Sequence, residues 1–99
     1  MLIRSQDKTV MVNMDNAFNI AIRDINGATA IYAGSSSGCC NIAEYSTKAK
    51  SMKVLDMIQE AYNEYQIMLN FSVSYLHEFK EKADGFDIFQ MPDNSEVEE

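Results

Sequence analysis

Residues 47–83 read TKAKSMKVLDMIQEAYNEYQIMLNFSVSYLHEFKEKA, and the reading of this stretch decides the fold. It contains no Gly and no Pro. Leu55, Ile58, Tyr62, Tyr65, Leu69, Leu76, Phe79 and Ala83 recur at spacings of three and four, with Ser72 in the remaining position. That period lays one apolar stripe along a helix, and Val54, Met57, Ala61, Met68 and Tyr75 widen it. Ser46 or Thr47 is the expected N-cap, because a hydroxyl there can accept from a free backbone N–H. The helix is expected to end near Asp84-Gly85. Lys80 and Lys82 suit the negative end of the helix dipole, and Gly85 suits the left-handed position that closes a helix.

A straight helix of that length would extend about 55 Å at ~1.5 Å per residue. The residues after it, Phe86-Asp87-Ile88-Phe89-Gln90-Met91, read as a strand stopped by Pro92. Such a strand is not stable alone in water. Two arrangements resolve the conflict. The helix breaks near Asn63 to Asn70 and brings the strand back to its own sheet. Alternatively it runs on, packs its second half against another subunit, and the last strand pairs in trans. The unbroken three-four phase favours the continuous helix. In either case the apolar surface from Tyr62 to Phe79 exceeds what a small sheet covers. A homodimer is therefore expected, with Tyr62, Tyr65, Leu69, Leu76, Phe79, Phe86, Ile88 and Phe89 as its interface.

Upstream, the chain reads as short strands. Leu2–Ser5 and Thr9–Asn13 flank the polar turn Gln6-Asp7-Lys8, and Asp15-Asn16 marks the next turn. Phe18, Ile20 and Ile22 alternate with polar or small residues, as in a strand with one buried face. Asn26-Gly27 suits a two-residue type I′ turn, so a hairpin to Ala28–Ala33 is expected. Gly34-Ser35-Ser36-Ser37-Gly38 reads as a hairpin loop. It lacks the Lys-Ser/Thr ending and the following helix of a phosphate-binding loop. Cys39 to Tyr45 is the fifth strand. The fold class is α+β: an antiparallel meander of about five strands, one long helix, continuous or broken, and a final strand. Residues 1–92 read as a single domain and 93–99 as an acidic, disordered tail.

The charge distribution supports that division. The chain of 99 residues carries 15 Asp+Glu against 8 Lys+Arg, net −7. Residues 1–83 hold 9 acidic and 8 basic side chains, net −1, so the remaining −6 belongs to residues 84–99. Hydrophobic residues make up 46%, ordinary for a soluble globular chain. No stretch approaches the ~20 apolar residues of a membrane span, and no signal-peptide core follows Met1. A cytoplasmic location without membrane association is expected.

The residue types able to carry chemistry are sparse. Cys39 and Cys40 are neighbours, which point to opposite faces of a strand and cannot staple distant elements. Packing is the expected role of one, and an edge position that of the other. His77 is the only histidine and lacks metal-ligand neighbours at helical spacing. Lys48, Lys50 and Lys53 open the helix, where positive charge opposes the dipole. They are candidate contacts for an anion such as phosphate or a partner's carboxylates, and otherwise a solvated face. The acidic tail is one conceivable partner for them in trans. Direct nucleic-acid binding is disfavoured by the net charge and by the lack of a basic stripe with interleaved aromatics.

Three stretches carry a resemblance: Leu2-Ile3-Arg4-Ser5-Gln6-Asp7, then Glu44-Tyr45-Ser46-Thr47-Lys48 with Val54-Leu55-Asp56-Met57-Ile58-Gln59-Glu60, and Phe89-Gln90-Met91-Pro92. Together they resemble a group of short uncharacterised proteins of Gram-positive bacteria and their prophages or mobile elements. The resemblance implies a cytoplasmic bacterial or phage setting and carries no catalytic residues. The expected function is a small non-enzymatic interaction or assembly module, without cofactor or metal. The rivals are an accessory regulator contacting nucleic acid or nucleic-acid-binding proteins, and a small cysteine-dependent enzyme.

Overall fold

The computed structural model describes residues 1–17, 19–35, 38–69 and 88–98. Two short strands come first, β1 (Leu2–Arg4) and β2 (Met11–Asn13). β3 (Asn19–Ile25), β4 (Ala28–Ser35) and β5 (Gly38–Tyr45) follow, then the helix α1 (Lys48–Leu69) and the last strand β6 (Ile88–Gln90). The protein is α+β, with one long helix.

The β3–β4 hairpin forms where Asn26-Gly27 predicts it. Ile25 pairs with Ala28, and both turn residues have positive φ, 47° and 88°. The turn's twist matches that of the strands it joins. β4 pairs antiparallel with β5 from Thr29↔Tyr45 to Ser35↔Gly38, with a bulge between Ile31 and Tyr32. Gly34, Ser35 and Gly38 thus belong to the paired strands rather than to the expected loop, because the ladder continues to Ser35↔Gly38; Ser36 and Ser37 lie outside the described residues.

The strands do not form one meander. β1 and β2 pair antiparallel and belong with β6 in a separate sheet of order β2-β1-β6, beside the sheet β3-β4-β5. The separation begins at Asn13, whose side chain accepts from Asp15 N–H at 3.0 Å. This opens a 3-10 turn over Met14–Asn16 and takes the chain out of the first sheet before β3 starts.

β6 pairs in parallel with β1 of the same chain, Leu2↔Ile88 through Arg4↔Gln90. Parallel pairing needs a long crossover, and here the whole second sheet and the helix supply it. The alternative of trans pairing is not what the single chain adopts. The helix runs unbroken through Asn63 for 22 residues, or about 33 Å. The part of the expected helix from Asn70 to Ala83, with its C-terminal signals at Asp84-Gly85, lies outside the described residues.

Ser51, Val54 and Ile58 form the buried ridge of α1, with Leu55, Ala61, Tyr62 and Tyr65 partly covered. The ridge is rotated from the expected stripe: Val54 is central, while Met57 points outward at 39% exposure. The helix lies on β3, β4 and β5. Thr29 on β4 fixes its first turn. Thr29 Oγ1 donates to Thr47 C=O at 3.1 Å, so the close contact with Ser51 Oγ has Ser51 as donor. Thr47 caps the helix as expected, accepting from Lys50 N–H at 3.2 Å. One core joins both sheets, helix and C-terminal segment: Ile3, Ile31, Ile42, Tyr45, Val54, Ile58, Met91 and Val97 pack together.

Residues 93–98 are not the disordered tail that composition suggests. Asn94–Glu96 form a 3-10 turn, and Val97 is buried at 5% exposure. The apolar Val97 and the turn-forming Asp93-Asn94-Ser95-Glu96 outweigh the acidity. Glu96 Oε1 accepts from Asp93 N–H at 3.1 Å, which closes the turn locally.

Candidate functional site

A polar constellation that joins three parts of the chain lies where the C-terminal segment meets the start of the chain and the strand-to-helix junction. Gln6 follows β1 and bonds in two directions. Its Oε1 accepts from Glu44 N–H at 3.0 Å, and its Nε2 donates to Glu44 C=O at 3.1 Å and Pro92 C=O at 3.2 Å. The amide thus substitutes for a neighbouring strand along the end of β5. Tyr45, buried at 1% exposure, donates from its phenol to Pro92 C=O at 2.7 Å. Burial, and next the charges of Asp93 and Glu96, push this phenol well above the usual tyrosine range.

Further contacts hold the segment on both sides of Pro92. Gln90 Nε2 donates to Ser5 C=O at 2.9 Å, and Met91 N–H donates to Arg4 C=O at 3.0 Å. Asn94 Oδ1 accepts from Ser46 N–H at 2.9 Å and from its hydroxyl at 3.2 Å. Residues near the start of the chain, at the strand-to-helix junction and around Pro92 therefore meet here, at Gln6, Tyr45 and Pro92.

The helix-opening lysines belong to the same constellation. Lys50 Nζ donates to Asn94 C=O at 3.1 Å, and Lys53 Nζ to Glu98 C=O at 2.5 Å. Each ammonium group donates to a main-chain carbonyl of the C-terminal segment in the same chain. The free N–H nearest them, that of Lys50, is capped by Thr47. Lys48 is exposed. The three lysines thus do not converge on one anion pocket; two of them clamp the segment that the sequence offered as a partner in trans.

The interface residues divide. Tyr62 and Tyr65 stack tilted, with ring centroids 6.4 Å apart, and are half-buried against the core. Phe89 also packs partly on the core, through the inward face of β6. Ile88 is exposed at 44% and Ile67 at 55%. Leu76, Phe79 and Phe86 lie outside the described residues, as does the side chain of Leu69.

Among the clefts formed by the described residues, two flank the helix and the hairpins. One of about 360 Å³ is lined by Val10–Asn13, Gly34, Ser35, Cys39 and Cys40. Cys39 is exposed, and Cys40 packs partly against the core, the opposite-face arrangement expected of neighbours on a strand. The other, about 330 Å³, is an apolar groove between α1 and the β3 edge, lined by Met14, Ala17, Ile20, Leu55, Ile58 and Tyr62. Among the described residues no group of three His, Cys, Asp or Glu side chains is placed to hold a metal; His77 lies outside them. No helix among the described residues is long and apolar enough to cross a membrane.

Sequence reasoning missed Gln6, Tyr45 and Asn94 as partners of Pro92 and Ser46. Only local signals existed. Asp93 followed three residues later by Glu96 is a capping-box pattern, and it argues for order after Pro92. Comparison with protein-family models, curated proteins and solved structures finds no match to this chain.

Proposed function

We propose that this chain is a small, non-enzymatic interaction and assembly module that self-associates through the second half of its helix and its last strand. The observation that carries the reading is the exposure of Ile67, at 55%, beyond the half-buried Tyr62 and Tyr65. Ile67 thus leaves apolar surface on the second half of the helix that its own sheet does not cover. Ile88, exposed at 44% on β6, adds apolar surface on the second element of the proposed interface. The nucleic-acid alternative is weakened because Lys50 and Lys53 already hold the C-terminal segment. The setting we propose is the cytoplasm, where the unpaired Cys39 and Cys40 stay reduced.

Light scattering after size exclusion tests the proposal. A dimer at tens of micromolar that dissociates on Ile67→Glu supports it. A species of 11.2 kDa at every concentration overturns it.

A further inference from the structure

Resting on the self-association proposed above, we infer that two copies join edge to edge along β3, in antiparallel register centred on Ile22, so that their β3-β4-β5 sheets become one. β3 is an edge of that sheet, and the turn at Asn26-Gly27 fixes which of its backbone groups are available. Both turn residues have positive φ, the type I′ geometry, so Ile25 and Ala28 close the turn as a hydrogen-bonded pair. Bonded and non-bonded pairs then alternate along the ladder. Asn19, Ala21, Arg23 and Ile25 direct their N–H and C=O groups to β4, whereas those of Ile20, Ile22 and Asp24 point to the open side. Among the described residues nothing bonds to them there.

The opposite edge of the same sheet is closed. Gln6 N–H donates to Ile42 C=O at 2.8 Å, and the Gln6 side chain takes both main-chain groups of Glu44. β2 and β6, the edges of the other sheet, are three residues each. β3 is seven residues long and has no Pro, Lys or bulge, the devices that keep an exposed edge from pairing. The occupant that fits is β3 of a second copy. The outward groups are symmetric about Ile22, so a two-fold axis there pairs Ile20 with Asp24 of the other copy and Ile22 with Ile22, each pair exchanging both bonds. Charge selects this register: an axis at Arg23 would set the two Arg23 side chains directly opposite each other, and an axis at Ala21 would leave Asp24 unpaired. The axis stands normal to the sheet, so both copies carry α1 on one face. The groove between α1 and the β3 edge, lined by Met14, Ile20, Leu55 and Tyr62, then meets its own counterpart across the axis and is closed by it.

The test is amide hydrogen exchange on the full chain, read residue by residue at low and high concentration, with light scattering on the same samples. Exchange at Ile20, Ile22 and Asp24 should slow at least roughly tenfold as the dimer forms, while Arg23, already bonded to β4, stays protected at both concentrations. A dimer whose Ile20, Ile22 and Asp24 amides exchange freely overturns edge pairing and leaves self-association standing. Protection already complete where the chain is monomeric gives the edge to another segment of the same chain and overturns pairing between copies. A monomer at every concentration overturns both readings. Asp24→Pro adds a second measurement: Asp24 is exposed, and an edge strand tolerates Pro where the lost N–H faces outward. The variant should keep its circular dichroism and dimerise at least roughly tenfold more weakly. A folded Asp24→Pro with unchanged dimer affinity overturns the inference.

Discussion

The phenol of Tyr45 donates to the main-chain carbonyl of Pro92 at 2.7 Å, joining the end of β5 to a residue 47 positions later. Removing the hydroxyl in Tyr45→Phe should cost about 1 kcal/mol, since Gln6 still donates to the same carbonyl. Urea unfolding measures the loss, and limited proteolysis after residue 90 should accelerate in the same variant. An unchanged midpoint would mean the bond contributes nothing net.

The same phenol sets an alkaline limit. Its pKa is raised in the folded state by burial and by Asp93 and Glu96. A raised pKa means the neutral form is favoured on folding. That stabilisation is whole below about pH 10, the unfolded value, and declines as pH rises beyond it. Stability measured from pH 8 to 11 should fall, and Tyr45→Phe should flatten this part of the curve.

Asp7 gives the opposite dependence at acid pH. Hydrogen bonds from the hydroxyls of Thr9 and Ser5, each at 2.7 Å, and from Thr9 N–H hold its pKa at about 2. A lowered pKa contributes stability that is present above the unfolded value of 3.8 and lost as pH falls toward 2. Asp7→Asn should remove that component of the acid transition. Carboxyl chemical shifts across pH 1–5 would check the assignment directly.

Truncation after Pro92 distinguishes an ordered segment from a solubilising tail. It removes Val97 from the core and takes the acceptors of Lys50 and Lys53. Burial of one Val is worth roughly 1.5–3 kcal/mol, so thermal unfolding should shift down by several degrees. No shift would be the behaviour of a solvated tail.

Core and surface apolar residues should separate cleanly. Ile3 is fully buried, and Ile3→Ala should cost ~2–5 kcal/mol through lost transfer energy and the cavity left. Ile67→Glu should leave monomer stability within about 0.5 kcal/mol and weaken self-association at least roughly tenfold. Denaturation and sedimentation equilibrium report the two effects independently.

Much of the architecture was legible because its signals are local. Asn26-Gly27 demands positive φ twice, and the structure has both. Three-four spacing from Leu55 to Tyr65 marks a helix, and Thr47 caps it. The clamp was not legible. Lys50 and Lys53 stood out as anion contacts, but Gln6, Tyr45 and Asn94 carry no signal until β6 lies beside β1, because main-chain carbonyls, which every residue carries, accept from Gln6, Tyr45 and both lysines. Acidity likewise misled for residues 93–98, since one buried Val outweighs exposed carboxylates that remain in water.

The sequence by itself determined that strands precede one long helix, where the β3–β4 hairpin turns, and that an apolar strand follows the helix. Those features arise from φ preferences and side-chain periodicity within a few residues. Tertiary structure alone decided that the strands split into two sheets, that β6 joins β1 in parallel, and that Lys50 and Lys53 hold the chain's own C-terminal segment. The last two depend on contacts between residues more than forty positions apart. Spacing along the chain carries no record of such pairing; burial of Met91 and Val97 against Tyr45 and Val54 selects it.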